Sequence, residues 1–338
     1  MKLPVKNIDL EKIIFAASDD NFIELAIELF QFQFQNNEVY QKYCNTLNVS
    51  VDEVTSLEKI PFLPIQFFKS LRIITTDFEA GAVFESSGTT ATVNSSHFVK
   101  DLNLYKKSFN TGFEKFYGAA KNKCILGLLP SYLERKNSSL VFMVDTLIKE
   151  SYNNLSGFYL YDYDKLHNAI LHNEILMQPT ILIGVTYALL DFAERYPMQL
   201  RHTIIMETGG MKGRREEMTR QEVHKELQNN LGVALVHSEY GMTELLSQAY
   251  SKGDGIFHCP PWMKVLIREE DDPFKIYSTT SLIEKPLTGA INVIDLANIY
   301  SCSFIATEDA GRLYTNKSFE VLGRIDNSDI RGCSLMSI

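Results

Sequence analysis

Apolar positions in the first segment recur at helical spacing. Phe22, Leu25, Ala26, Leu29 and Phe30 fall on one face, and Ser18 or Asp19 stands where an N-cap belongs. The run IPFLPIQFFKS (60–70) follows, in which Pro61 and Pro64 break any helix and predict an extended, apolar connector. Farther on, short apolar runs alternate with amphipathic stretches. CILGLLP (124–130) reads as a buried strand and SSLVFMVDTLIKES (138–151) as a helix capped by serine. GFYLYD, TILIGV and TIIMETGG read as strands, with helical stretches between them near 164–177 and 186–196. TRQEVHKELQNNLG (219–232) predicts a helix closed by a glycine, and ALVHSEYG the next strand.

Such alternation predicts an α/β fold with a mostly parallel sheet covered by helices. After residue 255 the pattern shortens to WMKVLIREE, FKIYSTT, GAINVIDL, CSFIATED and FEVLGRID, which predict a small antiparallel or barrel-like β subdomain. The expected organisation is an N-terminal helical segment (1–60), an α/β core (61–255) and a β-rich subdomain (256–338). There is no internal repeat, low-complexity segment or long charge run.

Composition narrows the class. The 338 residues suffice for one large domain or two modest ones, and 45% hydrophobic with 22% charged residues is the balance of a soluble globular chain. A formal charge of -9 argues against nucleic acid or a membrane surface as partner, while leaving room for a small basic pocket. Five cysteines, with no CxxC or CxxH, give little support to a zinc site and point to free thiols in a reducing cytoplasm. The N-terminus has no sustained apolar core of a signal peptide, and the longest apolar run, ILIGVTYALL, is too short to span a bilayer.

GxxxxGK[ST], GxGxxG and GxSxG are all missing, which weighs against P-loop kinases, dinucleotide enzymes and α/β-hydrolases. ESSGTTATVNSSH (85–97) packs hydroxyls and a glycine into a stretch of little bulk. Its backbone could curl several N–H groups onto one oxyanion, or it could be a polar connecting loop. In HSEYGMTELLSQAYS (237–251) an apolar strand enters a polar turn and then a predicted helix. Thr243 and Glu244 there suit phosphate and a hard cation, or simply the first turn of that helix. ATEDAGRLY (306–314) presents Glu308 and Asp309, able to hold ribose hydroxyls or to form a surface turn. FEVLGRIDNSD adds Arg324 and Asp326 after Gly323, for ribose or phosphate oxygens or for an exposed ion pair. His237 could serve as a base toward a thiol or as a hydrogen-bonded strand end.

Taken in order, SSGTT (86–90), YGMTE (240–244), Asp309 and GRID (323–326) resemble the adenylate-forming, acyl-activating superfamily. IPFLPIQFFKS, LLPSYLERKNSSLVFMVD, ETGGMKGRREE, EYGMTELLSQAYS and GRIDNSDIRGCSL are similar to the acyl-protein synthetase of the bacterial luminescence fatty-acid reductase complex, and more distantly to phenylacetate–CoA ligases. The resemblance runs from the proline-rich connector to the last turn. Two departures stand out. Ala91-Thr92-Val93-Asn94 replaces the usual T-G-x-P-K continuation and removes a lysine. The chain also stops where typical members carry a small C-terminal domain, so the resemblance implies that this domain is absent, as in the short synthetases.

That resemblance implies ATP and Mg²⁺, a carboxylic and in particular fatty acid substrate, an acyl-adenylate intermediate, and transfer to a thiol. Ser86, Ser87, Gly88, Thr89 and Thr90 would hold the β- and γ-phosphates, and Thr243 the α-phosphate. Glu244 would bind Mg²⁺, and Asp309 with Arg324 the ribose. Gly209, Gly210, Tyr240 and Gly241 would line the nucleotide. Lys212 is a candidate replacement cation, and Cys333 in DIRGCSL the candidate acyl acceptor, with a partner reductase or carrier protein as the next destination. A CoA ligase releasing free thioester, and a nucleotide- or acyl-binding protein without adenylation, remain the alternatives. A homo-oligomer is left open.

Overall fold

The structure is a computed structural model that describes residues 10–86, 94–130, 134–209, 218–279 and 285–325. The chain divides into two interleaved units: residues 1–108, 243–247 and 258–338 form the first, and 109–242 with 248–257 the second.

In the first unit, helix α1 (Phe22–Asn36) buries Phe22, Leu25, Ala26, Leu29 and Phe30, the face its spacing predicts, together with Gln33. Its N-cap is Asn21 rather than Ser18 or Asp19. The Asn21 amide oxygen turns back to accept the Ser18 N–H at 2.7 Å, and the Phe22 N–H donates to the Ser18 carbonyl at 3.0 Å, so a turn feeds the helix. Gln33 is buried because it is used: its Nε2 donates to the carbonyls of Asn298 (3.0 Å) and Ile299 (2.9 Å), and its Oε1 accepts from the Ser303 N–H. Helix α2 (Glu38–Thr46) is capped by Asn37, which accepts from the Tyr40 N–H. The proline-rich connector contributes β1 (Leu63–Pro64) and then the short α3 (Phe67–Ser70). β2 (Ala82–Glu85) and β3 (Ser96–Val99) pair antiparallel, with Glu85 opposite Ser96. Helix α4 (Leu102–Tyr117) carries the chain across the boundary at residue 108.

The second unit supplies β4 (Cys124–Leu128), α5 (Ser139–Ser151), β5 (Gly157–Phe158), α6 (Tyr163–Ile175), β6 (Thr180–Gly184) and α7 (Thr186–Arg195). β7 (Thr203–Thr208), α8 (Arg220–Leu231), β8 (His237–Tyr240) and β9 (Ala249–Ser251) complete it. The strands lie in the order β9-β8-β7-β6-β4-β5, parallel except for β9. Every residue of β4 and β6 is buried, as expected of strands covered on both faces. Ser138 caps α5. Helix α8 opens with a reciprocal Thr219–Glu222 capping box and closes at Gly232, whose φ of 65° is the left-handed turn that favours glycine. GFYLYD yields only the two-residue strand β5.

Returning to the first unit, β10 (Met263–Arg268), β11 (Ile276–Tyr277), β12 (Leu287–Asp295), β13 (Phe304–Leu313) and β14 (Phe319–Arg324) pair antiparallel in the order β11-β10-β12-β13-β14. This is the antiparallel β-rich region the shortened pattern predicts. β1 pairs parallel with β13, Leu63 beside Ile305. The only tryptophan, Trp262, is fully buried and donates from Nε1 to the hydroxyls of Ser108 and Ser247, at 3.2 and 3.0 Å. Among the described residues no helix is long and apolar enough to cross a membrane.

Candidate active site

The hairpin bearing the Ser/Thr/Gly stretch is tied at its base. The Ser86 N–H donates to the Ser95 carbonyl at 3.0 Å, and the Ser95 N–H donates to the Ser86 hydroxyl at 2.9 Å. Ser95 also bonds through its side chain to the carboxyl of Glu244. Glu244 is 4% exposed. Burial pushes its carboxyl up from the ordinary range; the Ser95 hydroxyl, its own backbone N–H and the charge of Arg324 pull it part of the way back, while Asp309 adds to the rise. One buried carboxyl therefore lies in reach of the electrostatics of both the hairpin and the acidic strand.

That acidic strand is β13, where Asp309 pairs across to Arg324 on β14. The Arg324 guanidinium lies 3.0 Å from Glu308 Oε2 and 4.0 Å from Asp309 Oδ1. Gln66 donates to the other Glu308 oxygen at 2.6 Å. Gly323 has φ 148°, and an added Cβ would meet nothing within 4 Å, so its backbone conformation and not crowding calls for glycine. The predicted ribose pair is thus adjacent, with Glu308 as a second anchor for the arginine.

Residues 243–248 overturn the predicted helix after YGMTE. No helix forms there, and the chain turns into β9 instead. Three side chains capture the backbone groups a helix would have used. Asp295 accepts from the N–H groups of Leu246 (2.8 Å), Ser247 (3.0 Å) and Ala297 (3.1 Å) and from the Ser247 hydroxyl (2.6 Å). Asn298 Nδ2 donates to the carbonyls of Glu244 (2.8 Å) and Cys302 (2.9 Å). His97 Nδ1 lies 2.8 Å from the Thr243 carbonyl, and its Nε2 lies 3.1 Å from Asn298 Oδ1. Burial pushes Asp295 up to about 6 and His97 down to about 4, in each case against its own hydrogen bonds. Half-buried Thr243 and buried Glu244 sit on a loop, not in a helical first turn.

In the second unit, Gly209 follows β7, Tyr240 ends β8 and Gly241 follows it, at the carboxyl ends of neighbouring parallel strands, where open α/β sheets take ligands. An added Cβ at Gly209 would meet open space; one at Gly241 would sit 2.4 Å from Glu239 Oε1 and 3.3 Å from Gln248 Cγ. Glu239 is half-buried and accepts from the Thr208 hydroxyl at 2.7 Å. Burial, with the neighbouring charge of Glu207, pushes it up to about 7 despite that bond. Glu207 itself goes the other way: burial raises it, but His224, Arg220 and Thr186 together outweigh burial and leave it lowered. Gln248 Oε1 is buried and has no hydrogen-bond partner among the described residues. His237 bonds to the Tyr117 hydroxyl at 3.2 Å, and burial together with the charge of Lys252 pushes it down to about 4.

A sequence profile described as "Acyl-protein synthetase, LuxE" matches residues 17–337, nearly the whole chain. The chain belongs to the acyl-protein synthetase (LuxE) family. Solved structures agree at the level of fold. ATP-bound MatB from Rhodopseudomonas palustris is 18% identical with a TM-score of 0.52, over 74% of this chain and 50% of that one. The 2-hydroxyisobutyryl-CoA ligase in the postadenylation state, in complex with 2-HIB-AMP, is 13% identical with a TM-score of 0.66, over 93% of this chain and 69% of that one. The family member described here therefore spans half the length of the MatB structure. No curated protein matches the chain.

Ser87, Gly88, Thr89, Thr90, Gly210, Lys212 and Cys333 lie outside the described residues, as does Asp326. Sequence reasoning missed Ser95, His97, Asp295, Asn298 and Glu239. A signal existed for two of them: Asp295 and Asn298 interrupt the apolar run INVIDLANIY, and a polar group inside such a run needs partners. Nothing local marks Ser95 or His97 as neighbours of Thr243 and Glu244, about 150 residues away.

Proposed function

We propose that this family member activates a carboxylic acid, with a fatty acid as the expected class, by forming an acyl-adenylate from ATP. A carboxylate oxygen attacks the α-phosphorus, the bond to the β-phosphate breaks, and pyrophosphate leaves. A thiolate then attacks the acyl carbon, the carbon–oxygen bond to AMP breaks, and a thioester forms. The observation that carries the reading is Glu244, a buried carboxyl in the YGMTE stretch of a family member, pushed up by burial.

The residues fit Mg²⁺ accompanying the nucleotide. A buried carboxyl with a raised pKa gains most from a cation, and Glu244 has only neutral hydrogen-bond donors and the more distant Arg324 to offset its burial. Among the described residues no group of three or more metal-binding side chains occurs, which suits an ion that takes most of its oxygens from phosphate and water. Bound there, Mg²⁺ would neutralise phosphate charge as two anions are brought together. Thr243 would touch the α-phosphate, Ser86 to Thr90 the outer phosphates, Asp309 and Arg324 the ribose, and Gly209, Gly210, Tyr240 and Gly241 the nucleotide's remaining edge. Lys212 is proposed to supply the positive charge that the Ala91–Asn94 continuation lacks.

For the acceptor, burial narrows the choice. The thiols of Cys44 and Cys259 are pushed up to about 12, and those of Cys124 and Cys302 also rise, so all four are held as poor nucleophiles. Cys333 is the remaining cysteine and the proposed acceptor, with a partner reductase or carrier protein taking the acyl group onward.

Exchange of labelled pyrophosphate into ATP, screened across acids of increasing chain length, tests the first step. The expected result is acid-dependent exchange that falls at least about a hundredfold in Glu244→Gln. Acid-independent exchange, or none with any acid, would leave a binding protein instead. The fold shared with a CoA ligase favours one second reading, in which CoA is the thiol and free thioester is released.

A further inference from the structure

We infer that His97 is a positioning residue that, with Asn298, sets the peptide planes of Thr243 and Glu244 and so aims both side chains at the magnesium–nucleotide. The inference rests on the reading of Thr243 and Glu244 given above.

The argument starts from hydrogen-bond bookkeeping. Two successive carbonyls, of half-buried Thr243 and buried Glu244, have no helix to take them, and a carbonyl withdrawn from water needs a donor. His97 meets the first at 2.8 Å and Asn298 the second at 2.8 Å. A carbonyl only accepts, so His97 Nδ1 must carry the proton. Asn298 cannot be flipped, because its Nδ2 already faces two carbonyls, those of Glu244 and Cys302. Its Oδ1 is therefore left facing His97 Nε2 at 3.1 Å; since that oxygen also only accepts, a neutral ring can bond just one of its two neighbours, and the shorter contact, Nδ1 to Thr243, takes the proton.

Fixing two consecutive peptide planes leaves Thr243 and Glu244 little freedom beyond their own χ angles. The same strand contributes twice. Ser95, two residues before His97, bonds the Glu244 carboxyl itself, so β3 and the residue leading into it hold Thr243–Glu244 by backbone and by side chain. Since Ser95 also closes the Ser86 turn, the base of the Ser/Thr/Gly stretch and the acid are tied to one strand. The Phe68 ring stands edge-on to His97 with centroids 6.1 Å apart, which blocks rotation of the imidazole out of the network.

The shape of the contact selects the test. An asparagine amide nitrogen falls near the position of histidine Nδ1, whereas a glutamine nitrogen falls near Nε2. His97→Asn should keep the bond to Thr243, and His97→Gln and His97→Ala should lose it. In pyrophosphate exchange the expected result is a rise of about tenfold in the KM for magnesium–ATP for the alanine and glutamine variants. The asparagine variant should stay within about threefold of wild type, and the KM for the acid should be unchanged throughout. A residue that only supports folding would instead lower the active fraction, reducing kcat alike in all three with KM unmoved, and that outcome overturns the inference. Selective ¹⁵N labelling of histidine gives a readout independent of catalysis: Nδ1 of His97 should be protonated in wild type. An unprotonated Nδ1 overturns the latch even if the enzyme is active. A protonated Nδ1 in a protein without exchange activity would sink the proposed function and leave the latch in place.

Discussion

Glu239 keeps its proton better in the folded chain than in the unfolded one. Its carboxyl is pushed to about 7 by burial and by Glu207, against a reference of 4.5. The stabilising effect of that proton is therefore complete below the unfolded value and is lost as pH rises through 7. The difference corresponds to about 3 kcal/mol. Glu239→Gln should thus gain stability relative to wild type by roughly that amount between pH 5 and pH 8, measured by denaturant unfolding at each pH. A stability difference that does not change with pH would refute the assignment. His97 and His237, both lowered, pull the other way but are common to both proteins and largely cancel. At this scale a familiar order of motifs singled out Thr243, Glu244, Asp309 and Arg324 as candidates, and the structure sets Asp309 opposite Arg324 across two strands. Glu239 was not singled out, because its interest lies in Thr208, Gly241 and Glu207, which local sequence does not reveal as neighbours.

At the scale of elements, the segment after YGMTE shows where local signals lose. TELLSQ contains good helix formers, yet Asp295, Asn298 and His97 satisfy its backbone better than a short helix could. Asp295→Ala would strand three buried N–H groups, at about 1–3 kcal/mol for each unpaired donor, while the Ser247 hydroxyl could turn to Ser108. Calorimetry should find a destabilisation of at least about 3 kcal/mol, and a loss under about 1 kcal/mol would show the loop to be held by something else. Helix α8 is the opposite case, since its boundaries are written locally. Thr219→Ala removes the capping box and should cost about 1 kcal/mol, visible as a lowered melting temperature. Strands β4 and β6 were equally readable, as short apolar runs too brief for helices.

For the whole molecule, alternation of strand and helix foretold the parallel sheet, and its breakdown after residue 255 foretold the antiparallel strands. The interleaving had no signature, because residues 243–247 join the first unit while the chain on either side belongs to the second. The thiol inventory also belongs to this scale. With Cys44, Cys124 and Cys302 buried, Cys259 half-buried and all four thiols raised, intact-protein mass after incubation with fatty acid, ATP and Mg²⁺ should show one acyl adduct on wild type and none on Cys333→Ser. An adduct that survives the substitution excludes Cys333.

The pairing of β1 with β13 has a consequence for biosynthesis. Leu63 leaves the ribosome 242 residues before its partner Ile305, roughly 10–50 s at ordinary elongation rates. Through that interval the oily side of α1 and the phenylalanine-rich connector have no finished sheet to lie against. A nascent chain stalled before β13 should therefore be a strong client for chaperones, and one stalled after it a weak client.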